Sequence, residues 1–164
     1  MSEATVPAEP VHKSVTVPVA PERAFELFTS EIASWWPLAT HSVGLERARG
    51  VSCGTSVGDQ LVETLSDGTT AVWGSVLESD PPHRIVLSWH AGRSADDATR
   101  LELTFTASGD GGTIVELTHS GWERWADGEA QARGYNEGWD IVLADYVRST
   151  SRSSGSGEGR TKIV

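Results

Sequence analysis

Residues 128–149 read GEAQARGYNEGWDIVLADYVRS. In this stretch Tyr135, Trp139, Val142, Leu143 and Tyr146 are spaced by three and four, so a helix gathers them into one apolar stripe. At 3.6 residues per turn the helix is about five to six turns long. Gly134 and Gly138 each cost it roughly 1 kcal/mol of propensity. Two such residues one turn apart predict a close approach of backbone to another element, or a bend. No other segment carries an apolar face of this length, so the fold depends on what the stripe covers.

The candidates lie upstream. VHKSVTV (11–17), GDQLVETL (58–65), TAVWGSVLES (70–79), HRIVLSWH (83–90), TRLELTFTA (99–107) and TIVELTH (113–119) are β-branched, alternating runs bounded by turn residues, and read as strands. Alternation puts Leu101, Leu103 and Phe105 on one face, and likewise Val115, Leu117 and His119. An antiparallel sheet of this kind has one apolar and one polar face. The terminal helix covers the apolar one, giving a two-layer α+β domain.

Between the first strand and the rest, PVAPERAFELFTSEIASWW (18–36) opens a helix with Pro21 near its start, where a missing N–H is harmless. Ala24, Phe25, Phe28 and Ile32 share a face. Pro37 blocks continuation, which places Trp35 and Trp36 on the last turn. Neighbours on a helix point about 100° apart. One ring is therefore expected in the apolar layer and the other at the rim.

Composition narrows function by exclusion. The chain of 164 residues carries a formal charge of −10, and its thirteen basic residues are scattered. That disfavours nucleic acid and anionic membranes as partners. No apolar run approaches the roughly 18 residues of a membrane-spanning helix, and MSEATVPAEP lacks the build of a signal peptide. The lone Cys53 fits a reducing compartment, so the expected location is cytoplasmic. No HExxH, CxxC pair, GxGxxG or Walker loop occurs, and the two GxSxG spacings in GVSCGTSVGD (50–59) lack the strand-to-helix setting of a nucleophile elbow. Neither metal nor cofactor is expected. Residues 1–10 read as disordered, 11–148 as one domain, and the Ser/Gly-rich 149–164 as a flexible tail.

The order APERAFELFT, WWP, GDQLVET, DGT, WGSVLESDPPHRIVLSW, LTHSGW, GWDIVLADY resembles the START-like helix-grip domains of the SRPBCC superfamily. More narrowly, it resembles the bacterial branch related to the activator of heat-shock protein 90 ATPase. The resemblance covers about residues 11–148. It implies a curved antiparallel sheet gripping a long C-terminal helix, two short helices after the first strand, and a cavity between sheet and helix. It also implies the range of roles found there: binding of apolar molecules, cyclase or hydrolase chemistry, or regulation of a chaperone.

The expected function is binding of a small apolar or aromatic molecule. A cyclase- or hydrolase-type enzyme, and a surface-acting chaperone regulator or homodimer, remain as alternatives. The expected cavity wall comprises Trp73, Trp89, Leu103, Phe105, Leu117 and His119 from the sheet, with Trp139 and Tyr146 from the helix. Trp35 and Trp36 are further ligand-binding candidates, one in the apolar layer and the other rimming the entrance. Plain hydrophobic core fits the same pattern, but large rigid indoles also bound a space while offering N–H donors. The catalytic residues are unknown. An enzyme would need His119 as base with Glu63 beside it, whereas a buried Glu63 could instead orient the ligand, or pair with Arg47, Arg49 or Arg100.

Overall fold

The computed structural model describes residues 9–155, with side chains through residue 151. Seven strands form one antiparallel sheet: β1 Val11–Val17, β2 Ala48–Cys53, β3 Gln60–Leu65, β4 Thr70–Asp80, β5 Arg84–Trp89, β6 Thr99–Ala107 and β7 Thr113–Ser120. Their order is β1-β7-β6-β5-β4-β3-β2. Consecutive strands therefore pair as a meander from β2 to β7, and β1 closes the far edge on β7. Two α-helices, α1 Pro21–Phe28 and α2 Gly128–Gly155, complete the domain. This is the α+β helix-grip arrangement.

The alternating residues define the register. Phe105 faces Val115, Leu103 faces Leu117, and Leu101 faces His119 across β6 and β7, and all six are buried. The sheet curls where β4 shifts register against β3 and again against β5. Gly74 marks the tightest point: a β-carbon there would stand 1.8 Å from Ser88 O, so only glycine lets the two backbones meet. On the concave side α1 packs Phe25 against Phe105, with centroids 5.3 Å apart. α2 is tied to α1 by Phe28–Tyr146 stacking at 4.9 Å and by Tyr146 Oη donating to Ala24 O at 2.8 Å.

Three expectations are revised. The helix opened by Pro21 does not reach the tryptophans, because its backbone leaves helical geometry at Thr29, with φ −109° and ψ −84°. A single 3-10 turn, Ile32–Ser34, then stands in place of a second short α-helix. The strand β2 was hidden in ARGVSC, which lacks a clean alternation. Finally, α2 continues past the boundary at 148. Ser149 and Thr150 are buried, and their hydroxyls bond back to Tyr146 O and Val147 O at 2.6 and 2.7 Å. Bonding back to their own helix in this way lets polar residues continue it. The disorder read for residues 1–10 and the flexibility read for the end of the tail fall largely outside the described residues. Among the described residues, no helix is long and apolar enough to cross a membrane.

Candidate functional site

Between the curled end of the sheet and α2 lies a cavity of about 480 Å³, a volume in the usual range for small-molecule sites. Trp73 on β4, Trp89 at the end of β5, Trp139 on α2 and Trp36 from the loop before β2 wall it. Their rings contact one another: Trp36–Trp73 at 5.2 Å, Trp73–Trp89 at 5.6 Å, Trp89–Trp139 at 5.5 Å and Trp36–Trp139 at 5.8 Å. Tilted and edge-to-face pairs of this kind each add roughly 0.5–1.5 kcal/mol beyond burial.

None of the four indole N–H groups is free. Trp36 donates to His41 O (2.6 Å), Trp73 to Glu63 Oε1 (2.8 Å), Trp89 to Tyr135 Oη (3.0 Å) and Trp139 to His119 Nδ1 (3.1 Å). The tryptophans were expected to offer donors to a ligand. Instead these bonds fix the rings.

Trp35 and Trp36 are both buried, 6% and 7% exposed. The 100° rule fails because Trp35 has left the helix, with φ −139° and ψ −15°. Trp35 turns into the core against Phe28 and Tyr146 (5.3 and 5.2 Å), its N–H on Leu27 O at 2.7 Å. Trp36 lines the cavity instead.

Glu63 is completely buried. Its carboxylate accepts from Val43 N (2.9 Å), Gly44 N (2.8 Å) and the Trp73 indole. Three N–H donors satisfy it without a counter-ion, and it pairs with none of Arg47, Arg49 or Arg100. It anchors the loop 37–45, whose Thr40, His41, Ser42 and Val43 rim the cavity. Gly44 permits the anchoring: a β-carbon there would meet Leu65 Cδ2 at 2.2 Å and Glu63 Oε2 at 3.0 Å.

His119 is also fully buried. Thr99 Oγ1 donates its one proton to Trp89 O (2.9 Å), so it accepts from His119 Nε2–H at 2.7 Å. Nδ1, meanwhile, accepts from Trp139. The network requires a neutral ring protonated on Nε2, and burial lowers its pKa to about 3. Both nitrogens are committed, and the ring sits behind Trp139 and Trp89, outside the cavity wall. Neither His119 nor Glu63 has a free atom facing the cavity, and the two belong to separate networks. Leu103, Phe105, Leu117 and Tyr146 are buried core beyond the wall. Cys53 is buried and its thiol is pushed up to about 12 by burial, with the nearby Asp59 charge adding. It therefore stays an inert thiol.

Sequence reasoning named Trp139 for the wall but not its neighbours on the same helix face, Gln131, Gly134, Tyr135, Gly138 and Val142, which line the cavity with it. The signal was present in their spacing, i, i+3/4, i+7/8 and i+11. The glycines make no close contact. A β-carbon on Gly134 would have no atom within 4 Å, and one on Gly138 only the His41 ring at 3.8 Å. They leave space open. Among the described residues no group of His, Cys, Asp and Glu is placed to hold a metal ion.

Residues 18–148 match the sequence profile of the family described as Activator of Hsp90 ATPase homolog 1-like protein. Among solved structures, an anthrahydroquino-gamma-pyrone synthase, Txn09, is 37% identical; the match covers 77% of this chain and 86% of that one, with a TM-score of 0.57. The self-sacrificing resistance protein CalC from Micromonospora echinospora shares the fold at 23% identity, with coverage of 88% and 96% and a TM-score of 0.61. The Aha1 dimer from Colwellia psychrerythraea does so at 17% identity, with coverage of 86% and 95% and a TM-score of 0.59. No functionally curated protein matches.

Proposed function

The chain belongs to the family of Activator of Hsp90 ATPase homolog 1-like proteins, and from that premise we propose that it binds a flat aromatic molecule in its cavity, as a cytoplasmic binding protein. One observation carries the reading: the cavity is walled by four indoles whose N–H groups are all used within the protein. A core would close over such rings. Here Gly134 and Gly138 of α2 line the cavity, and a β-carbon on either would meet no sheet residue within 4 Å. A rigid cluster of rings forming one wall of an open cavity suits stacking of a planar ligand against it.

The test is a titration of tryptophan fluorescence with 9-fluorenone, a planar three-ring ketone. The expected result is saturable quenching with one site and a Kd on the order of 10 μM, modest because the probe is small. No saturation up to the probe's solubility would overturn the proposal.

The 37% identity to a synthase favours a second reading, in which the bound molecule is also converted. Catalysis would then rest chiefly on holding a flexible precursor in a folded, reactive geometry, with His41 and Tyr135 the titratable groups in the wall. A surface role toward a chaperone or a second copy, as the dimeric Aha1 relative suggests, stands behind both.

A further inference from the structure

Most polar side chains around the cavity are already committed. Ser42 Oγ donates to Leu38 O (2.6 Å) and accepts from Leu45 N (2.8 Å). Thr40 Oγ1 sits 2.8 Å from His41 Nδ1, and Gln131 Nε2 donates to Asp127 Oδ2 at 3.0 Å. Tyr135 differs. Its oxygen accepts the Trp89 indole proton at 3.0 Å, yet no described residue accepts the proton of its own hydroxyl. A phenol is both donor and acceptor, so half of this group's capacity is unspent.

The hydroxyl is also held in place. The Tyr135 ring packs against His119 and Trp122, with centroids 5.0 and 5.2 Å away, and the indole bond fixes the oxygen. Only rotation about the C–O bond remains, and the accepted bond turns the proton away from Trp89. A donor pre-set in this way costs little ordering when a ligand arrives.

We propose that the Tyr135 hydroxyl is the recognition donor of this cavity, and that the ligand is a flat fused-ring molecule bearing a carbonyl or similar acceptor oxygen on its edge. The inference rests on the binding reading above and names the chemistry that site selects. Burial pushes the phenol pKa up, which keeps the proton in place at neutral pH. A site that presents a buried donor discriminates against analogues that leave it unpaired.

The experiment compares 9-fluorenone with fluorene, which has the same three-ring outline but CH₂ in place of C=O. The parent protein should bind the ketone roughly tenfold more tightly, the scale of one buried hydrogen bond. Tyr135→Phe should abolish that preference; because the change also releases the Trp89 N–H, any loosening of the wall lowers both affinities alike, and the ketone-to-fluorene ratio is the readout. A second readout uses the unaltered fold: the carbonyl stretching band of bound fluorenone should move to lower frequency than in an alkane, and should return in Tyr135→Phe. If both probes bind equally in the parent, or if the band does not move, Tyr135 is not the recognition donor, although the binding reading survives. If neither probe binds, the binding reading falls and takes this one with it.

Discussion

Replacing Gly134 and Gly138 together by alanine should make the protein more stable and a poorer binder. Neither residue adopts a positive φ, and both lie inside α2. Alanine at each site therefore gains the helix propensity that glycine forgoes, about 1 kcal/mol each. The new methyl at 134 meets nothing within 4 Å, and the one at 138 only makes ordinary contact with the His41 ring at 3.8 Å, so no clash offsets the gain. Two independent increments sum to roughly 2 kcal/mol. For a domain of this size that raises Tm by about 4–8 °C. Both positions line the cavity, so the same methyls take up part of its space. Crowding an occupied site typically costs ~1–3 kcal/mol, which is roughly tenfold to a hundredfold in the Kd for fluorenone. Thermal melts monitored by circular dichroism give the first quantity, and the fluorescence titration gives the second. A lower Tm would mean that the glycines answer a packing need. A higher Tm with unchanged affinity would mean that the ligand never touches this face of α2.

His119 predicts an acid-side loss of stability. Its pKa is about 3 in the fold against 6.5 as a free side chain, so between these values the unfolded chain holds the extra proton. The contribution is complete above pH 6.5 and is lost progressively as pH falls toward 3, amounting to about 5 kcal/mol. His119→Gln should flatten the denaturation profile in that window, and identical slopes in the two proteins would contradict the buried neutral ring. The adjacent tryptophans should separate cleanly. Trp35→Ala should cost roughly 3–5 kcal/mol with fluorenone affinity unchanged in the folded protein, whereas Trp36→Ala should weaken binding as well. Equal, purely stability-related effects would remove Trp36 from the site.

Everything that depends on periodicity was legible in the chain alone. The two-residue alternation of TRLELTFTA and TIVELTH places Leu103 against Leu117 and Phe105 against Val115, because a strand can bury such a pattern on only one face. The stripe from Tyr135 to Tyr146 likewise fixes α2 as the covering layer. Periodicity is a local property, and it could not extend to contacts made by residues far apart in the chain. The break in helical geometry at Thr29 lets Trp35 turn into the core and Trp36 to the cavity. Glu63 found three N–H donors, two of them about twenty residues earlier in the chain, and His119 found Thr99 and Trp139 across two elements. The meaning of Gly134 and Gly138 also waited on tertiary structure. A glycine that touches a neighbour and a glycine that borders empty space look the same in sequence. Only the distance to the facing sheet, set by the curl at Gly74 and the girth of four indoles, made these two the open side of a cavity.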